Sequence, residues 1–460
     1  MAKTRKQMLT QDELLDLALV PQGEQPYDVP ENWVWVRLGS IATIVGGGTP
    51  STNIVEYYEN GNISWISPAD LSNYQSVYIS QGRKNITQLG LEKSSARMVP
   101  VNTVLLSTRA PIGYVAIAGK ELSTNQGFKS FLPSRVYIPK YLYFYFIFVK
   151  DTLETYASGT TFLEISASKA AIIEFPLPPI DEQQRIVERI ESLFGKLDQA
   201  KELIETALDS FKTRRAAILN KAFTGELTAK WREEHGEKYD DWEKMDFVDC
   251  IVHMQNGISK RRGTEGVLTV VLRLANISEN EINSDDLREI VLNESEASRY
   301  ELVKDDTLII RVNGSGNNVG KIIQVRENNG WAFSDHLIKC QFDQSLVLTS
   351  FIVYMSMTSY YRTFIDNNIV SSAGQNTISQ KSLERFSFYR PSLPEQEEIV
   401  RILDSLLEKE QRAHELSDII QRIETMKKSI LARAFRGELG SNDPTEESAM
   451  ELLAEQLANS

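Results

Sequence analysis

AFTGEL, at residues 222–227, returns almost unchanged as AFRGEL at residues 434–439, near the end of the chain. A single six-residue coincidence means little, but a duplicated structural unit would also repeat the residues around it. The neighbouring segments therefore decide how the fold is interpreted.

The segments that precede the two hexapeptides also match each other. PPIDEQQRIVERIESLF, residues 178–194, aligns without gaps with PSLPEQEEIVRILDSLL, residues 391–407. The identical pairs are Pro178/Pro391, Glu182/Glu395, Gln183/Gln396, Ile186/Ile399, Val187/Val400, Ser192/Ser405 and Leu193/Leu406. Weaker similarity links 38–47 to 248–257, and 102–116 to 306–320. The chain is therefore predicted to contain two copies of one unit, each a mixed globular segment followed by a long helix.

Both helices carry an apolar seam with steps of four and three residues, the pattern of a coiled coil, and polar Lys409 and Glu410 interrupt the second seam. Pro178 precedes the first helix, and Ser392 with Glu395 forms a capping-box pattern at the start of the second. The first seam is Ile186, Ile190, Leu193, Leu197, Ala200, Ile204, Ala207 and Phe211. The second is Ile399, Leu403, Leu406, Ala413, Leu416, Ile419, Ile423, Met426 and Ile430. We expect the two helices to pack antiparallel; the alternative is that each packs only on its own globular segment.

Composition is typical of a globular protein, with 42% hydrophobic and 25% charged residues among 460. The apolar run YLYFYFIFV at 141–149 is too short to span a bilayer, so a buried strand or helix is predicted. The basic N-terminal segment lacks the apolar core of a signal peptide. Two cysteines provide no disulfide framework, which favours a reducing cytoplasm, and the short apolar run favours no membrane association.

The net charge of −13 is unevenly distributed along the chain. The net charge is +2 for residues 31–178 and −3 for residues 247–388, which leaves a net charge of −12 for the helices, connections and termini. The globular segments are near neutral and can present local basic faces to DNA, whereas the acidic helices would repel phosphate. Charge therefore permits DNA binding without requiring it.

The globular segments predict binding rather than catalysis. Short β-like runs alternate with turn clusters, which indicates a strand-rich α+β class. VGGGTPST at 45–52 lacks the Gly-Lys-Ser/Thr end of a phosphate loop, so a tight turn is the simpler interpretation. The four histidines have no metal-ligand spacing.

The candidate DNA-binding residues are polar and basic side chains in or beside turns. Arg, Asn and Gln can bond base edges, whereas Ser, Thr and Lys mostly hold phosphate. A solvated surface position is the alternative for each one. The candidates are Thr49, Ser51, Ser107, Thr108, Arg109, Lys260, Arg261, Arg262, Arg311, Asn313, Ser315, Gln375 and Asn376.

The repeated order of globular segment, Glu-Gln-x-x-Ile-Val helix and Ala-Phe-x-Gly-Glu-Leu resembles the specificity subunit of type I restriction–modification systems. The resemblance covers residues 28–440 and includes VPENWVWVRLGSIATIVGGGTPS at 29–51 and GELTAKWREEHGE at 225–237. It implies two target recognition domains joined by two long antiparallel coiled-coil helices with pseudo-twofold symmetry. It also implies a non-catalytic subunit that directs methylation of adenine within an asymmetric, bipartite DNA target.

The resemblance further implies the partners that this chain binds. They are double-stranded DNA, two modification subunits, and restriction subunits that translocate DNA. S-adenosylmethionine, ATP and Mg²⁺ are expected in those subunits and not in this chain, which has no metal site by this interpretation. The alternatives are an orphan DNA-binding regulator or decoy, and a coiled-coil scaffold. The candidates for contacts with partner subunits lie in the repeated hexapeptides: Phe223, Glu226, Phe435 and Glu438.

The pattern also predicts how the chain is divided into segments. The predicted segments are an N-terminal arm (1–30), a first recognition domain (31–178), a central helix (179–227), a linker (228–246), a second recognition domain (247–391), a C-terminal helix (392–439) and an isolated acidic tail (440–460).

Overall fold

The computed structural model describes residues 10–109, 111–159, 163–278 and 281–458. The chain divides into two compact units. Unit 1 is Met1–Glu202 with Ile419–Ser460, and unit 2 is Leu203–Asp418. Unit 1 contains a globular domain 1 (residues 34–177), and unit 2 contains a globular domain 2 (residues 243–390).

The described elements are numbered in chain order. The helices are α1 Gln11–Ala18, α2 Leu38–Ile41, α3 Gln88–Glu92, α4 Pro139–Phe148, α5 Ala167–Ala171, α6 Ile180–Phe223, α7 Ala229–His235, α8 Phe247–Cys250, α9 Glu294–Tyr300, α10 Thr349–Met355, α11 Ser359–Asn368, α12 Gln380–Leu383, α13 Leu393–Phe435 and α14 Ala449–Ala458. The strands before α6 are β1 Val34–Arg37, β2 Ile44–Gly46, β3 Ile63–Ile66, β4 Tyr78–Ile79, β5 Lys84–Ile86, β6 Met98–Val99, β7 Val104–Ser107, β8 Val115–Ala118, β9 Leu122–Thr124, β10 Phe128–Phe131 and β11 Glu174–Leu177. Those after α6 are β12 Glu243–Asp246, β13 Ile251–Asn256, β14 Val267–Leu272, β15 Ile277–Ser278, β16 Glu281–Ile282, β17 Glu289–Leu292, β18 Thr307–Ile310, β19 Val312–Asn313, β20 Ile322–Gln324, β21 Ala332–Phe333, β22 Leu337–Phe342, β23 Val370–Ser372, β24 Gln375–Thr377 and β25 Ser387–Arg390.

The two domains share one topology. The main sheet has the order β2-β10-β7-β8-β4 in domain 1 and β13-β22-β18-β20 in domain 2. A second sheet places β3 parallel to β9 in domain 1, and β14 parallel to β21 in domain 2. The first and last strands of each domain form an antiparallel ribbon, β1 with β11 and β12 with β25. The predicted duplicated α+β fold is confirmed.

Helix α4 supplies the centre of the domain 1 core. Tyr141 and Phe146 are fully buried, and the Phe146 ring packs 5.0 Å from that of Phe131. The Tyr141 hydroxyl donates to the carbonyl of Pro176 at 3.1 Å, so its polar end is satisfied inside the core. The run at 141–149 is therefore part of a buried helix. In the described part of the chain, no helix is long and apolar enough to cross a membrane.

The long helices run antiparallel within each unit. In unit 1, Lys201 bonds Glu424 at 3.1 Å and Lys427 bonds Asp198 at 2.5 Å, so residue numbers fall along one helix as they rise along the other. In unit 2, Leu219 near the end of α6 shares a core with Leu403 near the start of α13. The helices have 44 and 43 residues, so each extends about 65 Å if straight.

The first predicted seam agrees with the structure, and the second needs a correction. Every predicted seam residue of α6 is buried or half-buried, whereas Leu203 beside the seam is 71% exposed. In α13, Ile419 and Met426 are exposed, and Ile420 and Lys427 are the half-buried residues at those turns. The Lys427 side chain is 20% exposed and its ammonium group sits 5.3 Å from the centroid of the Phe194 ring, so a lysine stands where an apolar residue was expected. Ala413 lies outside the described side chains.

The backbone conformation explains why each hexapeptide contains a glycine. Gly225 and Gly437 end the two long helices with φ of +80° and +72°, a conformation that favours glycine. Space is also restricted, since a Cβ on Gly437 would lie 2.4 Å from Pro30, and one on Gly225 would lie 2.5 Å from Tyr239. The same turn is therefore used at both helix ends.

The termini and the predicted linker are more ordered than the sequence pattern indicated. Helix α14 is not isolated: Ala449 and Leu453 are fully buried in the core that also contains Ala18 of α1. The tail is also joined to the residue that precedes domain 1, because the Trp33 indole donates to Asn442 at 3.3 Å.

The segment predicted as a linker, 228–246, belongs to unit 2. It forms α7 and the strand β12, which pairs with β25 and begins domain 2 four residues before the predicted boundary. Apolar burial and strand pairing explain the difference, because neither produces a periodic pattern in segments this short.

Candidate nucleic-acid interface and helix junctions

The repeated Glu-Gln motif, at 182–183 and 395–396, fixes each long helix to the domain before it. The Gln183 amide accepts from the backbone N–H of Ile138 at 2.8 Å and donates to the carbonyls of Val136 and Pro178 at 2.9 and 3.0 Å. Gln396 repeats these bonds with the N–H of Leu348 and the carbonyls of Leu346 and Pro391, at 2.9, 3.1 and 3.0 Å. Both amides are fully buried, so their geometry requires glutamine at this place.

The neighbouring glutamate joins each helix start to the segment that follows the other helix. In unit 1, buried Glu182 accepts from Ser441 at 2.9 Å and from Arg185 at 2.9 Å. Burial raises the pKa of Glu182, while the hydrogen bonds from Ser441 and Arg185 oppose that rise. Arg185 also forms a bidentate pair with Glu446 of the tail, at 2.7 Å to each oxygen.

In unit 2 the equivalent carboxylate is paired with a buried cation, since the Arg232 side chain is 8% exposed and that of Arg185 in unit 1 is 36% exposed. Glu395 is fully buried and accepts from Arg232 at 2.5 Å, Thr228 at 2.6 Å and the Trp242 indole at 2.9 Å. The Arg232 guanidinium also donates to the carbonyl of Gly225. The segment after the first hexapeptide therefore supplies the cation that a buried carboxylate needs.

The aromatic residue of each hexapeptide belongs to a domain core, which corrects its assignment to a partner interface. Phe435 is fully buried, with ring centroids 5.1 Å from Tyr141, 5.2 Å from Tyr145 and 5.4 Å from Phe148. Phe223 is half-buried and packs 5.1 Å from Phe351. Helix α6 therefore begins next to domain 1 and ends against an aromatic residue of domain 2. Helix α13 begins next to domain 2 and ends among aromatic residues of domain 1. Glu226 and Glu438 are exposed and remain interface candidates.

Two of the DNA-binding candidates in domain 1 serve the fold instead. Ser107 is buried; its hydroxyl donates to Pro111 and accepts from the N–H of Tyr114, which closes the β7–β8 turn. Thr108 is buried and donates to the carbonyl of Gly127 at 3.3 Å. These hydroxyls are already used, so neither can contact DNA in this conformation.

The other domain 1 candidates are accessible to different degrees. Thr49 is half-buried and hydrogen-bonds to Gln126, whereas Ser51 is exposed. Arg109 is half-buried and forms an isolated backbone bridge with Glu164. Their contact with DNA stays a prediction.

A small sheet brings together the candidates from two distant stretches of domain 2. Asn313 on β19 pairs with Asn376 on β24, whose amide donates to the carbonyl of Gly314 at 3.0 Å. Asn313 in turn accepts from the N–H of Ser315 at 2.8 Å. Gln375 and Ser315 are exposed beside this pair, so the group presents amides and a hydroxyl to solvent.

A second group of candidates surrounds a cavity in domain 2. Lys260 and Arg261 line it, and Arg262 is exposed next to them. Arg273, Arg288 and His336 line the same cavity and were missed from the sequence, because they lie at separate strand ends. Arg311 donates to the carbonyl of Asp335 at 3.0 Å, at the border of this region.

The arrangement defines a duplicated recognition protein: two versions of one strand-rich domain, each carrying a different set of polar and basic side chains. The family model for the type I restriction modification DNA specificity domain matches residues 30–207 and again 272–425. The chain belongs to this family.

Individual relatives agree with that assignment. The StySPI specificity subunit of Salmonella potsdam, a type I restriction enzyme component, is 28% identical over 428 residues, 89% of this chain and 90% of the relative. The MjaIX specificity subunit of Methanocaldococcus jannaschii is 41% identical over 193 residues, 40% of this chain and 44% of that one.

Solved structures show the same fold. A chain from a study of complex assembly and conformational transition of the type I R-M system aligns with a TM-score of 0.66 at 18% identity, covering 90% of this chain and all of that one. The HsdS subunit from Thermoanaerobacter tengcongensis aligns with a TM-score of 0.54 at 19% identity, covering 91% of this chain and all of the other.

Proposed function

We propose that this chain is the subunit that selects the DNA target of a type I restriction–modification complex. In this proposal, domain 1 and domain 2 each recognise one half of an asymmetric bipartite sequence, and partner subunits methylate adenine within it. The observation that supports the proposal most strongly is the duplication of one domain with different side chains at matching loops, since two unlike readers specify two unlike half-sites.

The catalytic work is assigned to partners in this proposal. Two modification subunits would carry S-adenosylmethionine, and restriction subunits would use ATP and Mg²⁺, all in the cytoplasm. Exposed Glu226 and Glu438 occupy equivalent places after the two long helices, which suits contacts with two copies of the same partner.

The proposal is tested by sequencing the methylated genome of a host with and without this gene, with the partner genes unchanged. We expect one asymmetric bipartite motif to be methylated only when the gene is present. Loss of the gene without any change in adenine methylation would contradict the proposal and favour an orphan regulator or a scaffold.

We further propose that helix length sets the spacer between the half-sites. One extra heptad between Gln199 and Ala200, with another between Thr425 and Met426, would lie between the Asp198–Lys427 and Lys201–Glu424 pairs of unit 1 and preserve both. The insertion adds about 10 Å, or about 3 base pairs at 3.4 Å each.

The expected result of the double insertion is unchanged half-sites with a longer spacer in whatever methylation survives. Each single insertion is the matched control, because it lengthens one helix and moves it out of register with the other by one heptad. It should reduce methylation without creating a new spacer. Altered half-sites at the original spacing would contradict the role of helix length.

A further inference from the structure

The cavity of domain 2 has a volume of about 270 Å³. Its lining includes buried aliphatic side chains, among them Ile258, Val271 and Ile290. The lining also includes four cationic side chains, Lys260, Arg261, Arg273 and Arg288, and one carboxylate, that of Asp335. At about 30 Å³ per water molecule, the volume equals about nine waters, which is more than a phosphate group alone would fill.

The duplicated topology identifies the equivalent place in domain 1. Asn125 N–H bonds the carbonyl of Ile66, and Ser334 N–H bonds the carbonyl of Leu272, both at 2.9 Å. Strand β3 is parallel to β9 in domain 1, and β14 is parallel to β21 in domain 2. Ile66 and Leu272 therefore occupy equivalent positions, and so do the residues directly before them. Trp65 of domain 1 therefore corresponds to Val271 of domain 2.

Domain 1 fills this place with its own side chain. Trp65 is buried, and its indole N–H donates to the carbonyl of Gly48 at 2.9 Å. Gly48 corresponds to Ile258, since their N–H groups bond the carbonyls of Thr124 and Phe333. The large indole in one domain and a valine in the other explain why the lining of domain 2 leaves space. The cavity is thus a specific difference between two copies of one fold.

The polar groups of the cavity indicate an anionic ligand with further hydrogen-bonding capacity. Lys260 is paired with Glu296 at 2.7 Å and Arg273 with Asp286 at 3.0 Å, so the cations are held in position. Arg273 Nε and the Ser334 hydroxyl are buried in the lining and have no hydrogen-bond partner among the described residues. Each of these two groups therefore keeps the capacity for one further hydrogen bond beside the cavity.

We propose that this cavity takes one nucleotide, with its phosphate on the cationic side chains and its base against the aliphatic side chains. Arg, Lys and Ser are the residues that hold phosphate, and bases removed from a stack are held against apolar side chains. Resting on the proposed function, the nucleotide is one unstacked from the bound DNA; a free nucleotide has the same chemistry and is the other source.

The first arm measures binding of dAMP, dCMP, dGMP and TMP to the purified full chain by calorimetry, with inorganic phosphate and deoxyadenosine as comparisons. At least one mononucleotide should bind tenfold more tightly than both comparisons. Val271→Trp, which places the domain 1 residue in the cavity, should weaken that binding at least tenfold. Leu268→Trp is the matched control, because Leu268 lies on the same strand and is 59% exposed.

A second variant keeps the test independent of how well Val271→Trp folds. Ser334→Ala removes one unbonded hydroxyl and should weaken nucleotide binding about threefold to tenfold, the value of one hydrogen bond. Equal affinity for inorganic phosphate and mononucleotides, or wild-type binding by both Val271→Trp and Ser334→Ala, would overturn the proposal.

The second arm identifies the source by sequencing the methylated genomes of hosts that carry each variant. If the nucleotide comes from DNA, Val271→Trp and Ser334→Ala reduce methylation and Leu268→Trp does not. If both lose mononucleotide binding yet methylate normally, the DNA source is overturned. A wild-type chain without any effect on methylation would instead reject the proposed function, and the calorimetric arm would still decide whether the cavity binds nucleotides.

Discussion

Replacement of Phe435 by alanine is expected to lower the free energy of unfolding of unit 1 by about 3–5 kcal/mol. The side chain is fully buried among the rings of Tyr141, Tyr145 and Phe148, so truncation removes apolar burial and leaves a cavity. Hydrogen exchange of the full chain, read on peptides from domain 1, measures the effect in the unit concerned.

The matched control is Phe223→Ala at the equivalent end of α6. Phe223 is only half-buried and packs on the ring of Phe351, so we expect a smaller loss of protection, confined to unit 2. If Phe435→Ala left exchange in unit 1 unchanged and only weakened subunit assembly, Phe435 would be an interface residue after all.

Replacement of Arg232 by alanine is expected to lower the free energy of unfolding of unit 2 by about 3–5 kcal/mol, because it leaves the buried Glu395 carboxylate without its cation. Thr228 and the Trp242 indole still donate to Glu395, but neither carries a charge. Urea unfolding of the full chain, monitored by hydrogen exchange on peptides from α7 and the start of α13, gives the change.

Lys230→Ala provides the control for Arg232→Ala within the same helix. The Lys230 side chain is 88% exposed and pairs with Glu234 at 3.6 Å in solvent, so its removal should change stability by less than about 0.5 kcal/mol. Equal effects of the two substitutions would mean that the Arg232–Glu395 pair does not hold this junction.

Features with a local pattern could be predicted from the sequence. The duplication, the α+β class and both long helices follow from repeated motifs, and the seam of α6 agrees residue by residue with burial. The predicted seam of α13 is wrong at Ile419 and Met426, because the half-buried residues at those turns are Ile420 and Lys427, and a lysine gives no apolar signal in the sequence.

Features that depend on contacts between distant residues could not be predicted in this way. Arg232 and Glu395 are 163 positions apart, so nothing near residue 232 marks the segment as structured. Ser107 and Thr108 have the composition of a binding turn, and only the strand geometry shows that their hydroxyls face the backbone. The cavity combines residues from Ile258 to His336, and its existence depends on a valine where domain 1 has tryptophan.

The central claim is that each domain specifies one half of the target. It is tested most directly by replacing domain 2, from Glu243 to Arg390 at the β12–β25 ribbon, with the corresponding domain of a relative that has another target. The methylated motif is then sequenced in a host with the partner subunits. We expect one half-site to change to that of the relative, while the other half-site and the spacer stay the same. A change in both half-sites, or an unchanged motif with full methylation, would contradict it.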